Sequence, residues 1–179
     1  MKNAPVRRLA PIAVLAAALL ALPAGANALA PIPGDTPPDF PPDLVLPAGE
    51  GCPDFALGIE ATGASSKVRT FVDRNGDPVR VLTTGKGYTL TFVNDDTGAE
   101  IVFRATGSNR TAVTNPDGTT SVTDRGAVGI ILFPSDTPKG PSATLYHGRV
   151  EYTLTADGTN TFLSLETSGT SFDICEALS

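Results

Sequence analysis

Apolar side chains recur at every second position through much of residues 51–179, and this period most limits what the chain can become. In Tyr88-Thr89-Leu90-Thr91-Phe92-Val93, the residues Tyr88, Leu90 and Phe92 share one side. Ile101, Phe103 and Ala105 do the same within 100–105. Tyr146, Val150, Tyr152 and Leu154 share a side within 146–154, where His147, Arg149 and Glu151 take the other. The pairs Leu57/Ile59, Val79/Val81, Leu163/Leu165 and Phe172/Ile174 repeat the pattern. A side-chain period of two belongs to a strand with one face in a core and one in water. No window of useful length carries the i, i+3, i+4, i+7 spacing of an amphipathic helix. Val128-Gly129-Ile130-Ile131-Leu132-Phe133 is apolar on both sides, as a central strand covered twice, or one side of an interface, would be.

The connections between these runs carry hairpin chemistry. Asn75-Gly76 separates 67–72 from 79–84, Asp117-Gly118 separates 111–114 from 119–123, and Asp157-Gly158 separates 150–155 from 161–165. Asn-Gly and Asp-Gly supply the positive φ that tight two-residue turns require. About 8–10 short strands so joined predict an all-β fold, an antiparallel β-sandwich or barrel.

The first thirty residues read as an address. Lys2, Arg7 and Arg8 precede an uncharged run over 10–22, then Pro23 and Ala26-Asn27-Ala28. This is the layout of a secretory signal peptide, and the run falls short of the roughly 20 residues that span a bilayer. We place cleavage after Ala28, so 1–28 is a signal peptide and the mature chain has no transmembrane span. Arg7-Arg8 leaves the twin-arginine route open beside the general secretory one. Residues 29–50 hold seven prolines. Proline fixes φ and lacks an amide donor, so this stretch reads as an extended spacer unable to supply a helix or central strand. Phe40 and the run 44–46 are expected to dock on the domain that follows, residues 51–179.

Two cysteines flank that domain. An exported chain enters a compartment where disulfides persist, and Cys52 and Cys175 lack the C-x-x-C spacing of a redox pair. They are expected to form one disulfide stapling the domain's start to its end.

Charge narrows the function. The net charge of −6 is wrong for a nucleic-acid binder that neutralises phosphates. Removing 1–28 takes away three cations and no acid, leaving ten Lys and Arg against 19 Asp and Glu, near −9, an acidity expected to aid solubility and to disfavour anionic surfaces. One histidine and two cysteines are too few for a zinc site of His/Cys type. A Ser135/Asp136/His147 set can be written, but it lacks a nucleophile elbow. Asp73, Asn75 and Asp77 resemble the start of a calcium loop, yet Pro78 and Thr84 stand where that loop needs Gly and Glu, and a hairpin turn explains the residues. Asp95-Asp96-Thr97-Gly98 also reads as a turn. Glu60, Glu100, Glu151 and Glu166 are candidate paired carboxylates, but nothing in the sequence pairs them. Asn109-Arg110-Thr111 is a glycosylation sequon. No catalytic residue, cofactor or metal site is assigned. The candidate binding loop is Pro134-Ser135-Asp136-Thr137-Pro138-Lys139-Gly140-Pro141, a stiff segment of the kind that carries sites on rigid scaffolds, although a crossover between sheets would use the same residues.

Several segments carry a resemblance: 52–63 (Cys-Pro-Asp-Phe-Ala-Leu-Gly-Ile-Glu-Ala-Thr-Gly), 74–80, 85–88, 132–136 and 173–175. Together they resemble a group of small secreted actinobacterial proteins of unknown function. The resemblance covers roughly residues 51–179 and implies export and the terminal cysteine pair; it transfers no catalytic or binding residue. The leading expectation is a secreted, non-enzymatic binding module for an extracellular or cell-envelope partner. The alternatives are a secreted hydrolase with a loop-built site and an extracellular inhibitor or adhesin.

Overall fold

The computed structural model describes residues 44–105 and 107–179, with the backbone of one short strand before them. The signal peptide read at 1–28, most of the spacer and Phe40 lie outside the described residues. The strands are β1 (Ile32–Pro33), β2 (Leu44–Leu46), β3 (Leu57–Thr62), β4 (Ser65–Val72), β5 (Pro78–Lys86), β6 (Thr89–Asn94), β7 (Glu100–Arg104), β8 (Ser108–Thr114), β9 (Thr120–Leu132), β10 (Ser142–Leu154) and β11 (Phe162–Asp173), followed by a helix α1 (Ile174–Leu178). They form two antiparallel sheets, a large one in the order β1-β4-β5-β8-β9-β10-β11 and a small one in the order β2-β3-β6-β7. The fold is all-β, and of the two expected forms it is the sandwich. The three Asn-Gly and Asp-Gly dipeptides lie in the turns β4–β5, β8–β9 and β10–β11. The run 44–46 docks as expected, pairing with β3 at the edge of the small sheet, where a proline-rich approach is tolerated.

The long strands β9 and β10 serve two cores, one on each face. Ala127, Ile131, Ala143 and Leu145 pack toward the small sheet with Leu57, Ile59, Phe92 and Phe103. Val122, Ile130, Leu132, Val150 and Tyr152 form a second cluster on the opposite face. The doubly apolar run 128–133 is therefore a strand between two cores.

The second cluster has no sheet of its own to pack on; the large sheet folds over it. Twelve residue steps of straight strand, roughly 40 Å, would hold the tip of the β9–β10 hairpin away from its base. Instead, Asp136 in the tip loop accepts from the Phe162 N–H at 2.8 Å, and the Thr137 N–H donates to the Phe162 carbonyl at 2.8 Å. Phe162 pairs with Leu154 at the base of that hairpin, and its ring lies 4.8 Å from that of Tyr152. The hairpin has turned back on itself.

The bend runs along a row of glycines. Gly126, Gly148 and Gly169 are direct cross-strand partners, with φ of 101°, 148° and 112°. Side chains rarely adopt such backbone. A Cβ at Gly148 would run into the Ser168 carbonyl oxygen, and one at Gly169 into the His147 carbonyl oxygen. Strands that turn corners between packed layers use such bends. Gly148→Ala is expected to cost about 3 kcal/mol, the scale of a glycine-only conformation plus a displaced neighbour, read as a lower urea midpoint with an unchanged slope.

Asp124 sits in the wall of the second core and is 4% exposed. It takes a bidentate pair from the half-exposed Arg110, at 2.8 and 2.9 Å, and a bond from the Tyr152 hydroxyl at 3.2 Å. Burial pushes the Tyr152 phenol above its ordinary value, so it stays a neutral donor.

Two patterned pairs come out differently from the expectation. A register shift between Thr153 and Leu154 on β10 brings Phe162 and Leu165 to the second core and leaves Leu163 46% exposed. Phe172 and Ile174 do not share a strand face: Phe172 is exposed, while Ile174 opens α1 and is fully buried. Asp173 makes the switch, capping α1 by accepting from the Glu176 N–H at 3.0 Å.

Cys52, just before β3, and Cys175, in α1, are bonded with Cα atoms 5.5 Å apart, and both are buried in the first core. A formed disulfide suggests an oxidising, extracellular environment.

Candidate functional site

The expected binding loop, 134–141, closes the hairpin between neighbouring strands β9 and β10 and is not a crossover. Its one buried side chain, Asp136, spends both carboxylate oxygens on backbone donors: Phe133 N–H at 2.6 Å and Phe162 N–H at 2.8 Å. Pro134, Ser135, Thr137, Pro138 and Lys139 are exposed, and Gly140 and Pro141 are half-buried. The loop is thus a latch with an exposed rind.

Ser135, Asp136 and His147 are not brought together. His147 stands five residues along β10 from Ser142, roughly 17 Å of strand, and its ring meets the edge of Phe103. Asp73 accepts from the Asn75 and Asp77 N–H groups and the Asn75 amide, so its carboxylate organises the turn. Among the described residues no group of three or more His, Cys, Asp and Glu is arranged to hold a metal. Of the four glutamates, the structure pairs Glu151 with Glu166 across β10 and β11. They stand on an open sheet face, where Glu151 accepts from Arg149 at 2.7 Å and from the Thr123 hydroxyl at 3.2 Å. A shallow pocket of about 130 Å³ beside β2 and β3 is flanked by Glu60 and Asp95, smaller than the usual few hundred Å³ of ligand sites.

The feature that stands out chemically is the outer face of the large sheet. Beyond the glycine row the small sheet covers this face. Before the row, among the described residues, no layer covers it. There the register sets Lys67 beside Thr84, Thr84 beside Asn109, Asn109 beside Arg125, Arg125 beside Arg149 and Arg149 beside Ser168. All six are exposed. This file crosses six strands, roughly 24 Å at the usual strand spacing. It holds three cations and three neutral hydrogen-bonding side chains, and no carboxylate. Arg69 and Arg80 stand on the same face in the next two files, Arg80 5.3 Å over the Phe71 ring. Five of the ten cations of residues 29–179 therefore share one half-face with two acids, Glu151 and Glu166. Comparison with protein-family models, curated proteins and solved structures finds no match. The face must therefore be read from its own chemistry.

Three further acids gather at the turns. Asp73, Asp117 and Asp157 lie in the three hairpin turns at one end of the large sheet. Hydrogen bonds from Thr155 and Thr159 hold the Asp157 carboxyl at about 2. The Asp77 and Asn75 N–H groups lower Asp73, and Thr119 lowers Asp117. All three stay ionised through the physiological range, which leaves the chain polarised: an anionic rim beside a cationic face.

Sequence reading missed Lys67, Thr84, Asn109, Arg125, Arg149 and Ser168. Part of the signal was available: reflecting Asn109 about Asp117 gives Arg125, and reflecting Arg125 about Thr137 gives Arg149. The step to Ser168 was hidden by the register shift near Leu154. No helix among the described residues is long and apolar enough to cross a membrane.

Proposed function

We propose that the protein is an exported binding module, akin to the secreted actinobacterial proteins it resembles, whose cationic file holds an anionic polymer outside the cell. One observation carries the reading: six exposed side chains in register across six strands, three cationic and none acidic, with Arg149 also paired to Glu151 of the next file, on a chain near −9. Arginine offers a planar fork of donors to carboxylate or phosphate. The Arg125–Arg149 pair, flanked by Asn109 and Ser168, suits a ligand whose charges repeat along its length. Screening over about 8 Å at physiological salt lets this local surface act despite the net negative charge.

The test is retention of the mature chain on immobilised polygalacturonate. Binding at about 50 mM salt should weaken steeply by about 200 mM, as contacts that release counterions do. Arg125→Glu should reduce affinity on the order of tenfold or more, because it reverses a charge at the centre of the file. Equal retention of Arg125→Glu and the parent chain, or no retention at low salt, would end the proposal.

A further inference from the structure

The two sheets, among the described residues, present four edges, and three are guarded. β2 is three residues long; β7 is five, with Glu100 and Arg104 at its ends. The outer edge of β4 carries Lys67 and Arg69 and is met by β1, where Pro33 faces Arg69. β11 is different. It runs for twelve residues, Phe162–Asp173, with ten of them exposed, and contains no proline and no cation. Before its terminal Asp173 its sole charge is Glu166. Short strands, inward charges, lysine, proline and bulges are the usual protections of an edge; β11 has a register irregularity only at its start, opposite Leu154, and a bend at Gly169, and has none of the others. Among the described residues the 134–141 loop meets this edge at Phe162 alone, and none of them covers 163–173.

We infer that β11 pairs antiparallel with β11 of a second copy of this chain, forming a two-fold dimer in which the large sheets join edge to edge. The open stretch fixes the register. Full overlap of 163–173 with itself is centred on Ser168 and sets Glu166 opposite Thr170 of the other copy, so no like charges meet. It also sets Gly169 opposite Thr167 of the other copy, so both bends lie within one residue of the axis and the two folded sheets turn together. The nearly uncharged strip is where two acidic chains approach with least repulsion. Because the axis stands perpendicular to the sheet, both cationic files face the same way and meet at Ser168, forming one continuous file. The inference rests on the edge itself and not on what the file binds.

Sedimentation equilibrium of the disulfide-intact mature chain tests it, with circular dichroism to verify that each variant is folded. The parent chain should show reversible monomer–dimer behaviour. Thr170→Glu sets two acidic pairs against each other and should weaken dimerisation on the order of tenfold, whereas Thr170→Lys sets two opposite-charge pairs and should strengthen it several-fold. A parent chain that stays monomeric at every concentration overturns the inference. So does a dimer indifferent to both variants, which would be built on another surface. Polygalacturonate binding by a monomeric parent would leave the binding proposal standing while this one fell.

Discussion

Replacing Cys52 with serine is expected to remove about 5 kcal/mol of stability, the chain-entropy cost of releasing a loop of 123 residues. Typical domains hold only about 5–15 kcal/mol in total. The melting temperature should therefore fall by about 15 °C or more. The structure says where the loss begins. α1 has five residues, too few to be helical alone. It is kept in place by the bridge, by the Asp173 cap and by the Asn94 side-chain amide, which donates to the Leu178 carbonyl at 2.8 Å. Without the bridge, α1 should release Ile174 and Leu178 from the first core, and hydrogen exchange should rise first over 174–178. Cys175→Ser should match Cys52→Ser, and the double variant should be no worse than either, since all three remove one bond. A drop of less than about 5 °C would mean that the two sheets hold together by packing alone.

What was legible in the sequence was what a strand reports locally. Alternation placed Leu57, Ile59, Phe92, Phe103, Val150 and Tyr152 on buried faces, and each is in a core. Asn-Gly and Asp-Gly located three turns because glycine supplies positive φ, but the connections are five to seven residues long and Asn75, Asp117 and Asp157 do not take positive φ, so these are not the two-residue turns expected. Cys52 and Cys175 could be paired because there were only two. What was not legible depended on several strands at once. Gly126, Gly148 and Gly169 look unremarkable singly, and only the register reveals a bend line. The cationic file is equally dispersed: Lys67, Arg125 and Arg149 are scattered through more than 80 residues and meet only across β4, β9 and β10. The prolines of the loop 134–141 read locally as a stiff, exposed recognition element. The structural role of its buried Asp136, which touches a strand that begins 26 residues later, has no such local sign. A carboxylate between prolines gives no hint that its partner is so far along the chain.

That latch carries the second large effect. Asp136→Ala should cost about 3–5 kcal/mol, because it strands the Phe133 and Phe162 N–H groups, each of which now donates to a charged acceptor. Asp136→Asn keeps one acceptor oxygen in place and should lose about half as much. The effect should be local before it is global. With the latch gone, the β9–β10 tip can lift from Phe162 and admit water to Leu132, Val150 and Tyr152. Hydrogen exchange at the Phe162 amide should accelerate, and proteases should gain access within 134–141, while 174–178 stays protected by the bridge. Exposed neighbours give the contrast: Ser135→Ala and Lys139→Ala, which touch neither donor, should change stability by less than about 0.5 kcal/mol. If Asp136→Ala unfolded at the parent's urea midpoint, the hairpin would be held down by the second core alone, and the glycine row rather than the carboxylate would be what keeps the sheet folded.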